Sequence, residues 1–286
     1  MFAAAGMIAV VVARPVAAPA DVPAMLARIG ERVEQYYARA QSIICTETVR
    51  LQPLSSSLSF EDAHAQTLVY EDRIVWAASD DAQTAPEPQV LRELVKVNGR
   101  APRPGDVPAC AAPKPVAPEP LALLLPARQN EHVFTWRGSG RTDRRDSVMF
   151  DYKARTSGEL SITFKGDCAS MELPGRERGR VWADPATGDV LRLDEEIVGR
   201  FEFRLPRDHQ LPNGPMSMVV ERADTSIKYE PVTFHDPDET VMLPASIQRL
   251  TIVRNSNPPA LRTTQVFSNY RRFMTGARIV KDPGAR

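Results

Sequence analysis

After one amphipathic segment near its start, this chain is a long run of short apolar–polar alternations separated by turns. That pattern decides most of what it can fold into. Candidate strands cover residues 45–51, 66–76, 90–97, 132–138, 146–153, 159–164, 179–184, 189–197, 200–205, 217–222, 226–234, 240–254 and 262–273. Leu160, Ile162 and Phe164 recur at every second position, and in 132–138 Val133, Thr135 and Arg137 oppose Phe134 and Trp136. Period-two alternation means one buried and one wet face, the mark of antiparallel sheet. Roughly a dozen such strands are too many for a small flat sheet, so the sheet must curl or close.

The exception is 21–42, where Val22, Leu26, Ile29, Val33, Tyr36 or Tyr37, and Ala40 fall on one stripe at helical spacing. Asp21 is placed to cap this helix, and Pro23 is tolerated in its first turn. Residues 77–89 read as a solvated loop, and 101–120 contain seven prolines and cannot form a ladder. The apolar Leu121–Pro126 that follows suits one buried helical turn. The expected fold is therefore mainly β (α+β): a large curved antiparallel sheet or half-open β-barrel, wrapped around an N-terminal amphipathic helix and a short helical plug. Proline is abundant at 25 residues and glycine modest at 15, which favours turns over further helices. Residues 21–286 read as a single domain with the Pro-rich loop at about 101–120.

Lys plus Arg and Asp plus Glu both number 36, so no global field draws nucleic acid to the chain. Phe2 to Ala13 is an uncharged apolar run too short to span a bilayer, and Ala18-Pro19-Ala20 precedes Asp21. We read 1–20 as a signal peptide cleaved between Ala20 and Asp21, although no Lys or Arg precedes the apolar run. A disordered Ala-rich terminus is the alternative. The expected location is periplasmic or extracellular, and an integral membrane protein is not expected. Of three cysteines, Cys45, Cys110 and Cys168, none lies in a C-x-x-C pair. In an oxidising compartment two can pair, and Cys110 with Cys168 is favoured because both sit in loop-like sequence. Cys45 then stays a buried free thiol. The other pairings, and three reduced thiols, remain open.

The acidic stretch 178–196 raises the question of a metal or acid/base site. Asp184-Pro185-Ala186-Thr187-Gly188 answers it as a turn: Asp at i, Pro at i+1 and Gly at the left-handed position make a bulged hairpin. Calcium would need oxygens at the positions held by Ala186 and Gly188. Glu195 and Glu196 read as strand-end charges. A second acidic knot, His235-Asp236-Pro237-Asp238-Glu239, reads the same way, and no metal or cofactor is expected. A hydrolase using His235 would require a nucleophile the sequence does not supply. There is no G-x-S-x-G elbow and no phosphate-cradling glycine pattern.

An amphipathic helix followed by a long antiparallel sheet resembles the bacterial lipoprotein-carrier (LolA/LolB-like) fold. Three segments carry the likeness: residues 91–106, the hairpin 179–193, and 229–247 with 264–273. They are similar to a group of uncharacterised exported bacterial proteins. The resemblance implies a LolA-like domain and a non-enzymatic binding module for a lipid, a lipoprotein acyl chain or another amphiphile of the cell envelope. No family residue can be placed here. The candidate apolar cavity is lined by Phe134, Trp136, Phe150, Phe164, Trp182 and Leu191, which could equally pack a dry core. The alternative function is an envelope scaffolding or protein-interaction domain, for which the Pro-rich loop is suited.

Overall fold

Asp21 starts the only α-helix among the described residues, α1 (Val22–Arg39), by accepting a hydrogen bond from the Ala24 amide at 2.9 Å. The described residues of this computed structural model are 21–40, 42–60, 64–76, 88–106, 119–159, 161–165, 168–172, 174–210, 212, 214–235 and 238–272. The expected signal segment, with Ala20, lies outside them. On α1, Ile29, Val33 and Tyr37 are buried, and Val22, Leu26 and Tyr36 pack beside them, so the stripe faces the sheet as its spacing requires.

Among the described residues thirteen strands follow: β1 (Ile43–Leu54), β2 (Gln66–Trp76), β3 (Pro88–Val97), β4 (His132–Thr142), β5 (Arg145–Ala154), β6 (Ser161–Lys165), β7 (Cys168–Glu172), β8 (Glu177–Ala183), β9 (Val190–Ile197), β10 (Phe201–Arg204), β11 (Ser217–His235), β12 (Asp238–Arg254) and β13 (Ala260–Arg272). All but β6 and β7, which pair with each other, join one antiparallel sheet in the order β3-β2-β1-β13-β12-β11-β9-β8-β5-β4, with β10 on β11. Its end strands β3 and β4 do not meet, so the sheet is open. Two segments read as separate strands, 217–222 and 226–234, form the single strand β11. It absorbs two register shifts, at Val220/Arg222 and Lys228/Tyr229, instead of breaking.

One register row crosses ten strands without interruption: Trp136, Phe150, Val181, Leu193, Ile227, Ile247, Gln265, Val49, Leu68 and Val97 stand opposite one another in turn. All but the partly buried Trp136 are buried, and only Gln265 is polar. Over its Phe150-to-Ile247 part lie α1 and the 3-10 turn Glu119–Leu124, the expected plug, whose Leu121 and Leu124 are buried, while Val49, Leu68 and Val97 belong to a second buried cluster. Gln129 ties the two together by donating from Nε2 to the Leu26 carbonyl at 2.9 Å and to Leu124 at 2.7 Å.

The Asp184–Asp189 turn fixes the other side of α1. Asp184 accepts from the Ala186 and Thr187 amides at 2.9 and 3.2 Å, and Gly188 has φ +77°. Arg28 donates to the Pro185 carbonyl at 3.0 Å, and Arg32 to Asp189 at 2.5 Å. A Cβ on Gly188 would lie 3.0 Å from the Arg28 carbonyl oxygen. Gly188→Ala therefore meets left-handed strain and the helix together, and should cost roughly 1–3 kcal/mol. Phe150→Ala, at a wholly buried position of the row, should cost roughly 3–5 kcal/mol. Equilibrium denaturation of each variant checks both values.

Candidate functional site

The face of the sheet turned away from α1 carries a trough of about 1010 Å3. Its walls are two register rows running across the strands. The first is Thr135, Asp151, Arg180, Asp194, Ser226 and Gln248. The second is Val133, Lys153, Arg178, Glu196, Asp224, Leu250 and Arg262. Each residue of the first row lies two residues from its counterpart in the second, so all project to the same side, and Arg262 extends the second row by one strand. Between the walls runs a floor row of Tyr152, Gly179, Glu195, Thr225 and Arg249. At six inter-strand steps of about 4.8 Å, the second row spans roughly 29 Å.

Charge is unevenly spread along the trough. At its β4–β5–β8 end stand Arg137, Lys153, Arg178 and Arg180, against the single acid Asp151. Arg137 and Arg180 both reach Asp151 through Nε, at 2.6 and 2.5 Å, and Arg178 reaches Glu196 through Nε at 2.7 Å. Burial works to raise the Asp151 carboxyl, but the two guanidinium groups outweigh it and hold the group below the usual carboxylate range. The middle of the trough carries three carboxylates, Asp194, Glu196 and Asp224, paired with Arg192, Arg178 and Arg222 in turn. Trp182 sits here between Arg192, 4.8 Å from its ring centre, and Arg180 at 5.8 Å.

The floor residues turn their side chains to the helix face. Tyr152 donates to Glu195 at 3.0 Å. Gly179 makes this contact possible, since a Cβ there would lie 2.7 Å from the tyrosine oxygen and 1.9 Å from the Asp194 carbonyl. Burial raises the Glu195 pKa and lowers that of Arg249. The reading of Glu195 as a strand-end surface charge is corrected: only Glu196 is on the trough side.

A second polar group lies within the helix face, on β1, β2, β3 and β13. Glu47 is wholly buried and accepts from Arg92 Nε and Nη2 at 2.8 and 2.5 Å and from Gln265 Nε2 at 2.6 Å. The Arg92 guanidinium lies 3.7 Å from the centre of the Tyr70 ring. Asp72, 1% exposed, has Oδ1 3.6 Å from Arg92 Nε, and neither of its oxygens has a hydrogen-bond partner among the described residues. Burial and then the neighbouring Glu47 charge push the Asp72 pKa up to about 8, against the pull of Arg92. The same surroundings push the Cys45 thiol well above its ordinary range, so this buried free cysteine is held as a neutral thiol. The sequence offered one signal of this cluster, the Glu at position 47 inside the buried alternation of Cys45, Val49 and Leu51.

The residues named for an apolar cavity scatter. Phe150 is in the core, Phe134 and Trp136 pack against it, and Leu191 is buried. Phe164 is on β6 in the two-stranded sheet, stacked 4.5 Å from His209. Trp182 is on the opposite face, because Val181 and Ala183 take the buried positions of β8. The six do not line one cavity. Cys110 lies outside the described residues, and with it the expected Cys110–Cys168 bridge. So do Asp236 and Pro237 of the second acidic knot, where His235 is exposed with Nδ1 3.5 Å from Asp238. Among the described residues, no group of three His, Cys, Asp or Glu is placed to hold a metal ion. No described helix is long and apolar enough to cross a membrane.

No family model and no curated protein matches the sequence. Solved structures do resemble the fold. An outer membrane lipoprotein-sorting protein domain from Vibrio parahaemolyticus is 10% identical, covering 88% of this chain and 92% of its own, with a TM-score of 0.43. A DUF1329 family protein from Desulfovibrio piger is 10% identical over 89% and 94%, at 0.41. A LolA superfamily protein from Nitrosomonas europaea is 8% identical over 87% and 94%, at 0.35. At these identities the likeness is one of overall fold alone.

The buried acid pair gives a pH signature. Asp72 binds its proton in the folded protein up to about pH 8, whereas the unfolded chain releases it near pH 4. Stability from this group is full below pH 4 and falls as the pH rises towards 8, by at most about 1.4 kcal/mol per pH unit. Asp72→Asn should flatten that slope and leave the variant more stable than the parent above pH 8. Urea unfolding between pH 5 and 9 measures it.

Proposed function

We propose that this chain is an exported, non-enzymatic binding module of the cell envelope whose ligand lies along the trough on the open face of the sheet. The observation that carries this reading is the pair of parallel side-chain rows. They form an elongated site of about 1010 Å3 on rigid strands, lined by arginines, carboxylates and a tryptophan. Export is supported by the apolar run 2–13 and the Ala18-Pro19-Ala20 pattern.

The amphiphile reading has its own support. The helix face is an extended apolar surface to which α1 and the Glu119–Leu124 turn contribute Ile29, Val33 and Leu124. A lipid or acyl chain could enter it only by displacing them, because those side chains are already buried against Phe150 and Leu193.

Native mass spectrometry with lipid extraction, on protein purified from its own envelope, separates the readings. The expected result is a bound ligand in the parent that is lost on Ser226→Trp, which fills the middle of the trough. A lipid retained by Ser226→Trp would move the site to the helix face, and a clean apo mass for the parent would count against both. N-terminal sequencing of the exported protein should begin at Asp21, and a chain still beginning at Met1 would refute export by this signal.

A further inference from the structure

Resting on the trough as the binding surface, we propose that its occupant is an extended protein segment with a cluster of acidic side chains at one end, seated at the β4–β5–β8 end. The span of the second row, roughly 29 Å, matches about nine residues of extended chain at 3.3 Å each. A polypeptide in this form also presents charges at intervals, which the alternating sign of the trough can read.

The polarity comes from Lys153. It stands directly opposite Arg178 across β5 and β8, and like charges in that position destabilise a sheet unless an anion lies between them. Lys153 is exposed and makes no ion pair among the described residues. Arg137, Arg178 and Arg180 each spend only Nε on a carboxylate of the sheet. Their terminal amino groups have no hydrogen-bond partner among the described residues, and their side chains are 52%, 56% and 40% exposed. The neighbouring carboxylates thus hold three guanidinium groups in place while leaving the ends that grip a carboxylate bidentately. One ammonium and three prepared arginines are met here by two carboxylates, Asp151 and Glu196. The next third of the trough carries Asp194, Glu196 and Asp224, each already paired with an arginine (Arg192, Arg178 and Arg222), so it offers a second acidic cluster no comparable set of free arginine ends.

Isothermal titration of the whole protein with nine-residue peptides tests this. The probes are three aspartates followed by six serines, three lysines followed by six serines, and inorganic phosphate alone. The expected result is binding of the aspartate peptide that weakens with salt, falls at least tenfold in Lys153→Glu and survives in Lys153→Arg. Equal binding of the lysine peptide, or no change in Lys153→Glu, overturns the proposal. Phosphate binding as tightly as the aspartate peptide also overturns it, because the site would then be a general anion pocket. If Ser226→Trp removes the natural ligand while Lys153→Glu does not, the trough stands as the binding site and the acidic-end inference alone falls.

Discussion

The register row from Trp136 to Val97 is the constraint on which the molecule rests. Ten strands place one residue each in it, and because the strand period is two, a slip of one residue anywhere would turn that strand's apolar set out to water. The helix and the 3-10 turn pack on its Phe150-to-Ile247 part, and Val49, Leu68 and Val97 continue it in a second buried cluster. The DPATG turn then sets where the helix lies, since Arg28 and Arg32 bind its carbonyl and its last aspartate. Local turn chemistry and long-range packing therefore agree, as a single well-defined fold requires.

The row holds one polar residue, Gln265, and that residue has a structural partner. Gln265 donates to Glu47, which also receives Arg92 from the edge strand β3. An inward charge on an edge strand discourages the pairing of that edge with another chain, and β3 needs this because Leu91 and Val95 are exposed on it. At the opposite edge, β4 is bulged at Gly138, whose φ of +116° bends the strand. The cost is concentrated at Asp72, which must stay protonated to be tolerated beside Glu47.

Much of the fold was legible in the sequence because alternation and capping are local. Asp21 as cap, the helix stripe, the bounds of β2 and the Asp184–Gly188 turn all follow from short-range chemistry. What was not legible depends on sheet order. Lys153 and Arg178 are 25 positions apart, and only the pairing of β5 with β8 makes them neighbours. Trp182 was named for an apolar cavity, yet in Arg180-Val181-Trp182-Ala183 the smaller Val181 and Ala183 are buried and the tryptophan lies among arginines. Glu195 was misjudged for the complementary reason: its place beneath the sheet depends on Gly179, which clears the way for Tyr152.

Two faces with separate duties explain why a sheet of this size can carry a charged trough at all. Apolar burial on the helix face supplies the cohesion, so the trough face contributes little to holding the strands together. Its exposed ion pairs are individually weak, of the order of 0–1 kcal/mol. Weak pairs are easily exchanged for contacts to a partner, whereas buried ones such as Glu47–Arg92 are not. The two polar sites therefore serve different ends by virtue of their solvent exposure: the buried cluster fixes the edge of the sheet, and the open rows remain free to bind.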